Sequence, residues 1–145
     1  MSRRGTTVPE PLRAIDANVL LHYLLSDVPE QAHRARRLVD SEQPLGLTAV
    51  ALAEVAWTLA GPRYRRARAT VATQLIDLLA RENIVTVGFD KAEAQAALMA
   101  CAVQVGAANF GDALIAACAR SAGVQEIYSF DQRFARTGLT PLAPL

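Results

Sequence analysis

Short strand-like runs, each only about four residues long, are separated by stretches of helical periodicity. This alternation is the main constraint on what the chain can fold into. Residues 12–15, 45–48, 84–87 and 126–129 are compact runs, most of them rich in Leu, Ile and Val, with a weaker candidate around Leu142. Between them, the patterns predict helices over 19–25, 30–41, 49–60, 64–81, 90–105 and 112–122, with a short one over 132–136. Pro29 suits a helical first turn, Gly61-Pro62 stops a helix, and Asp90 with Glu93 three residues on forms a capping box. Strands alternating with helices predict an α/β fold with a parallel sheet covered on both faces. In such folds the reactive edge lies at the carboxyl ends of the strands.

The chain has 145 residues, the length of one ordinary domain, with 52% hydrophobic and 20% charged residues. The expected layout is a flexible N-terminal extension over 1–11 and a single domain over 12–145. Fifteen basic and fourteen acidic side chains leave a net charge of +1, which excludes a polycationic coat but not local clusters that cancel. Lys91 is the one lysine, so chemistry that needs a catalytic lysine has a single candidate. Cys101 and Cys118 are too few for a disulfide framework or a zinc site and read as buried thiols. The start of the chain has no apolar signal segment, and no run reaches the roughly 20 residues of a membrane span. A soluble cytoplasmic protein is expected.

Four acids interrupt apolar surroundings: Asp16 in IDANVLL, Glu54 in AVALAEVAWTLA, Asp112 in NFGDALIAACA and Asp131 in YSFDQRF. Each has a structural reading. Asp16, Asp112 and Asp131 precede helical stretches and could be N-caps. Glu54 is harder to dismiss, because a lone Glu on an apolar helix is rarely buried without a partner. Only the fold can bring the four together, and at a strand-end edge they would converge. Carboxylates held a few ångströms apart repel unless a cation sits between them. Oxygen ligands without a His or Cys cluster select Mg²⁺ or Mn²⁺. Such a site suits phosphodiester hydrolysis, the ion polarising phosphoryl oxygens and activating water.

DANVLL, the isolated Glu54, NFGDALIAA and YSFDQRF resemble, in order and spacing, the PIN-domain ribonucleases, and among them the VapC toxins of bacterial toxin–antitoxin modules. The resemblance implies an α/β/α sandwich with a short, mostly parallel central sheet of four to five strands. It implies an Mg²⁺- or Mn²⁺-dependent endoribonuclease, usually a homodimer, inhibited by a small antitoxin. Asp16, Glu54, Asp112 and Asp131 would form the acidic site, with Asp16 and Asp112 on the metal and the other two binding directly or through water. Asn18, Asn109 and Ser129 would support them.

Around Tyr64, Arg63, Arg65, Arg66 and Arg68 form a basic run with no acid from residue 55 through 76. It reads either as a solvated helix start or as an RNA phosphate stripe offsetting the acidic centre. Arg34, Arg36 and Arg37 are further candidates. His22 and His33 read as surface or half-buried, and Trp57 and Tyr64 as core or dimer contacts. Two rivals remain at this level: a non-catalytic PIN-fold module that docks RNA or protein, and an aspartyl-phosphate phosphotransfer enzyme. The second needs a lysine beside the phosphoryl group, and Lys91 opens a helix.

Overall fold

The computed structural model describes residues 11–103 and 109–145. Three strands, β1 (Arg13–Ala14), β2 (Leu45–Thr48) and β3 (Ile84–Val87), form a parallel ladder in that order. Two more, β4 (Glu126–Tyr128) and β5 (Thr140–Leu142), pair in parallel as a separate ladder. Every strand pairing among the described residues is thus parallel, as expected, but the strands hydrogen-bond as three plus two rather than as one continuous sheet. The weak signal at Leu142 is a real strand end.

β2 is the buried middle strand, and its register sets Leu45 against Ile84 and Thr48 against Val87. A β-carbon at Gly46 would stand 3.2 Å from Val87 Cγ2 and 3.4 Å from the Arg13 carbonyl, so glycine leaves room for the Val87 side chain and the β1 backbone to close in on β2.

The helices are α1 (Ala17–Leu25), α2 (Pro29–Val39), α3 (Ala49–Ala60), α4 (Arg68–Leu79), α5 (Lys91–Val103) and α6 (Phe110–Ser121). A 3₁₀ helix, Gln132–Thr137, lies between β4 and β5. α3 packs against both α1 and α6, which sets the elements that carry Asp16, Glu54 and Asp112 side by side. Leu20, Leu47, Leu52, Leu59, Leu75 and Leu98 are fully buried in one continuous core, each worth about 1.5–3 kcal/mol of transfer free energy. A smaller cluster of Ala116, Phe134 and Leu139 anchors the second ladder.

Two boundaries differ from the sequence reading. α4 starts at Arg68 and not at residue 64, because Arg65 adopts a left-handed φ of 48° and its Nε donates to the Pro62 carbonyl at 3.1 Å. The turn opened by Gly61-Pro62 therefore runs four residues longer. α6 begins at Phe110, since Asn109 and not Asp112 is its N-cap. The expected end of the preceding helix at Val105, like residues 1–10 of the expected 1–11 extension, lies outside the described residues. Asp90 caps α5 as expected, accepting from Glu93 N at 3.1 Å. Glu93 itself turns to Arg120 at 3.0 Å rather than closing the box.

Candidate active site

β1 delivers Asp16. The amide of Ile15 donates to the Gly46 carbonyl at 2.9 Å, fixing the strand end beside β2 before the chain turns into α1. Asp16 occupies the N-cap position of α1, with φ −79° and ψ 148°, yet its side chain makes no capping hydrogen bond. A capping Asp stabilises a helix by accepting from the first free amides. Asp16 does not, and its exposed carboxylate is free for other work.

Asp16 and Asn18 open onto a cleft of about 380 Å³ between α1 and α2, faced by His22, Gln31, Arg34 and Leu38. His22 is half-buried, as its sequence context suggested, but it shares this cleft with Asp16. The spacing of Asn18 and His22, one helical turn, was the signal that could have revealed it. His22 Nδ1 lies 3.6 Å from Asp27 Oδ1.

Glu54 rises from the second turn of α3, whose start is capped by Thr48 Oγ1 accepting from Ala51 N at 3.2 Å. It is exposed, so the expectation of a buried Glu in need of a partner fails. The apolar neighbours in its sequence point elsewhere: Leu52, Val55, Ala56 and Leu59 enter the core. Val50 and Trp57, four residues before Glu54 and three after, share its outer face and are 70% and 62% exposed. Trp57 is therefore no core residue.

Asp112 lies half-buried in the first turn of α6, where the helix dipole favours a negative charge. The capping reading of Asp112 fails: Asn109 Oδ1 accepts from Asp112 N at 2.8 Å and takes the cap itself. Asp131 is the opposite case. It caps the 3₁₀ helix, its Oδ1 accepting from Arg133 N at 2.9 Å. The Arg133 guanidinium also grips both carboxylate oxygens, at 2.7–3.0 Å. That side-chain hydrogen bonding holds the Asp131 pKa below its ordinary value. Arg133 also feels the charge of Asp112, and α6 packs against the 3₁₀ helix that carries Arg133. Sequence reasoning missed Arg133; its place two residues after an acid, in FDQRF, was the available clue.

Asn109 and Ser129 behave alike. Each accepts from the backbone amide of an acid: Asn109 from Asp112, and Ser129 Oγ from Asp131 N at 2.9 Å. Both set the direction in which the neighbouring acid leaves the backbone.

The arginine run divides. Arg63 stacks on Tyr64, its Cζ 5.2 Å from the ring centroid, and Arg65 folds back onto Pro62. Arg66 and Arg68 instead line an open cleft of about 450 Å³ with Trp57, Asn109, Phe110 and Gly111. Burial raises the pKa of the Cys101 thiol, with Asp112 raising it further and Arg68 lowering it, so both charges reach the same neighbourhood. Burial likewise raises Cys118, in keeping with two unreactive thiols. Lys91 donates to the Arg81 and Ile84 carbonyls at 3.1 and 2.6 Å, at the amino end of β3 and away from the strand ends that bear the acids. It closes a helix end and serves no phosphoryl group.

Among the described residues, no three acidic, His or Cys groups stand close enough together to hold a metal ion. The expected tight four-carboxylate cluster is therefore not preassembled there. The donor chemistry nonetheless fits a hard ion. Asp16, Glu54 and Asp112 offer only oxygen, and none makes a side-chain hydrogen bond or ion pair with another described residue. Mg²⁺ commonly keeps several waters and takes only one or two carboxylates.

A protein-family model described as PIN domain matches residues 14–139. The chain belongs to the PIN-domain family. No curated protein matches it. PIN domains are in general metal-dependent nucleases acting on nucleic acid. Among the described residues no helix is long and apolar enough to cross a membrane.

Proposed function

We propose, from its membership of the PIN family, that this protein is an Mg²⁺- or Mn²⁺-dependent endoribonuclease. In the same reading it is the cytoplasmic toxin of a toxin–antitoxin pair, homodimeric and silenced by its cognate antitoxin. The observation that carries the nuclease reading is the uncommitted state of Asp16, Glu54 and Asp112. Carboxylates that neither cap a helix nor pair with a cation leave their oxygens available as ligands to a hard divalent ion.

Asp16 and Asp112 would hold the ion directly or through water, and Glu54 and Asp131 would complete the acidic pocket. When bound, the ion polarises the phosphoryl oxygens and lowers the pKa of water. The chain's own residues do the remaining work. Asn109 and Ser129 aim Asp112 and Asp131, Asn18 supports Asp16 at the cleft mouth, and Arg66 and Arg68 bind phosphates flanking the scissile bond. Arg63 and Arg65, engaged with Tyr64 and Pro62, contribute through long-range charge rather than direct contact.

Asp112→Ala tests the reading. The variant should lose Mg²⁺-dependent RNA cleavage while its circular dichroism and melting temperature stay those of the parent. Full activity in the variant would overturn it. Calorimetric titration with Mn²⁺ separates an enzyme from a non-catalytic PIN module, since a degenerate pocket takes up no ion. Co-purification with the product of an adjacent small reading frame, and loss of activity in that complex, tests the toxin role.

A further inference from the structure

Trp57 is the feature that neither the fold nor the acidic site explains. A large indole that is 62% exposed loses the hydrophobic gain of burial, and Trp57 makes no hydrogen bond or ring contact with another described residue. The other aromatic of this region, Tyr64, is fully employed: Arg63 covers its ring and its hydroxyl donates to Asp27 Oδ2 at 3.4 Å. Trp57 instead forms one wall of the 450 Å³ cleft whose other walls carry Arg66, Arg68 and the first residues of α6.

The charge of this cleft selects its occupant. Arg66 is held in place, its backbone amide donating to the Leu59 carbonyl at 3.0 Å and Nη1 to Gln74 Oε1 at 2.9 Å. Glutamine is neutral, so the guanidinium keeps its full charge and further donors. Arg68 opens α4, and no acid occurs between residues 55 and 76. A flat aromatic wall beside two arginines matches a nucleotide, the base on the indole and the phosphate on the guanidinium forks. Trp57 stands three residues beyond Glu54 on one helix face, about 5 Å along the axis, so a nucleotide bound there adjoins the acidic site.

We propose that the cleft between the end of α3 and the starts of α4 and α6 is a nucleotide subsite, which stacks an unpaired base on Trp57 and holds the adjoining phosphate on Arg66 and Arg68. The assignment rests on the reading of the protein as an RNA-binding nuclease, and it adds a requirement. A base paired within a duplex must first unpair and unstack, at a cost of a few kcal/mol, before it can cover Trp57, so the subsite favours single strands.

Trp57 is the chain's single tryptophan, so intrinsic fluorescence reports on this position alone. The full chain is titrated, with chelator present so that nothing is cleaved, with a mixed-sequence single-stranded RNA and with the blunt duplex of that sequence; anisotropy of a labelled strand measures binding independently. Single strands should quench Trp57 saturably, with the midpoint of the anisotropy curve, and bound duplex should leave it unquenched. Trp57→Ala should weaken single-strand binding by about tenfold to a hundredfold, and Trp57→Phe by much less. Arg66→Ala and Arg68→Ala should each lower the salt slope of log K by about 0.7.

The proposal is overturned if single strands bind without quenching, if duplex quenches equally, or if no single strand binds. It is overturned equally if dilution without RNA changes the fluorescence, which would make Trp57 a contact between copies of the chain. Because the assay involves no cleavage, quenching in an inactive protein would sink the nuclease reading and leave the subsite. Cleavage without quenching would do the reverse.

Discussion

Asp16 and Asp131 occupy equivalent places in the chain pattern, each just beyond a short strand and just before a helix, and the fold treats them in opposite ways. Asp131, beyond the second ladder, caps its helix and is gripped by Arg133 on both oxygens. Asp16, beyond the first ladder, stands at the cap position and caps nothing. The difference lies in the next two residues of the chain. After Asp131 the chain supplies an arginine two residues on, whose amide and guanidinium both reach back. After Asp16 come Ala17 and Asn18, which offer no cation. A cap with its own counter-ion is a structural element; a cap without one is an acid in reserve.

The contrast yields an ordered set of expectations. The largest effect falls on catalysis: Asp16→Asn and Asp112→Asn should each reduce metal-dependent cleavage by about a thousandfold, the scale of losing several kcal/mol of charge stabilisation. Single-turnover kinetics reads this out. Neither change should lower the melting temperature, because neither carboxylate holds the fold. Asp131→Ala should lower it, since cap and ion pair are then lost together; a drop for Asp16→Ala and none for Asp131→Ala would reverse the comparison. Asn109→Ala comes next. Loss of its cap should cost about 1 kcal/mol in denaturant unfolding. It should also slow cleavage by about tenfold to a hundredfold, through misdirection of Asp112. The smallest effect belongs to Arg133→Ala. Removing a cation that also faces Asp112 should tighten Mn²⁺ binding about twofold to fivefold by calorimetry. Weaker binding would mean instead that Arg133 must aim Asp131 for the metal to bind.

The range of the forces involved decides which features the sequence disclosed and which it hid. β2, β3 and α3 lie where periodicity puts them, because burial of alternate or helical positions is a local pattern written in consecutive residues. The four acids could be singled out because charge is conspicuous against apolar neighbours. The start of α4 was illegible: a non-glycine residue at positive φ, Arg65, carries no compositional mark and is stabilised by one contact to Pro62. The division of the strands into two ladders depends on hydrogen bonds between distant segments. The exposure of Trp57 removes the core half of its core-or-dimer reading: its sequence neighbours are apolar, but helical spacing from Glu54 turns it to the same outer face. Lys91 shows the benefit of geometry over counting, since its two carbonyl partners at the far end of β3 dispose of the phosphotransfer alternative.

The central claim is that the unengaged carboxylates, Asp112 foremost, serve a divalent ion in cutting RNA. Its most direct test is the single-turnover cleavage of an end-labelled single-stranded RNA over a series of Mg²⁺ concentrations, with the parent chain and Asp112→Asn side by side. Cleavage by the parent should rise and saturate with Mg²⁺ and vanish in chelator. The variant, with an unchanged melting temperature, should not cut at any concentration. Cleavage by the parent in chelator, or parental rates in the variant, would contradict the claim.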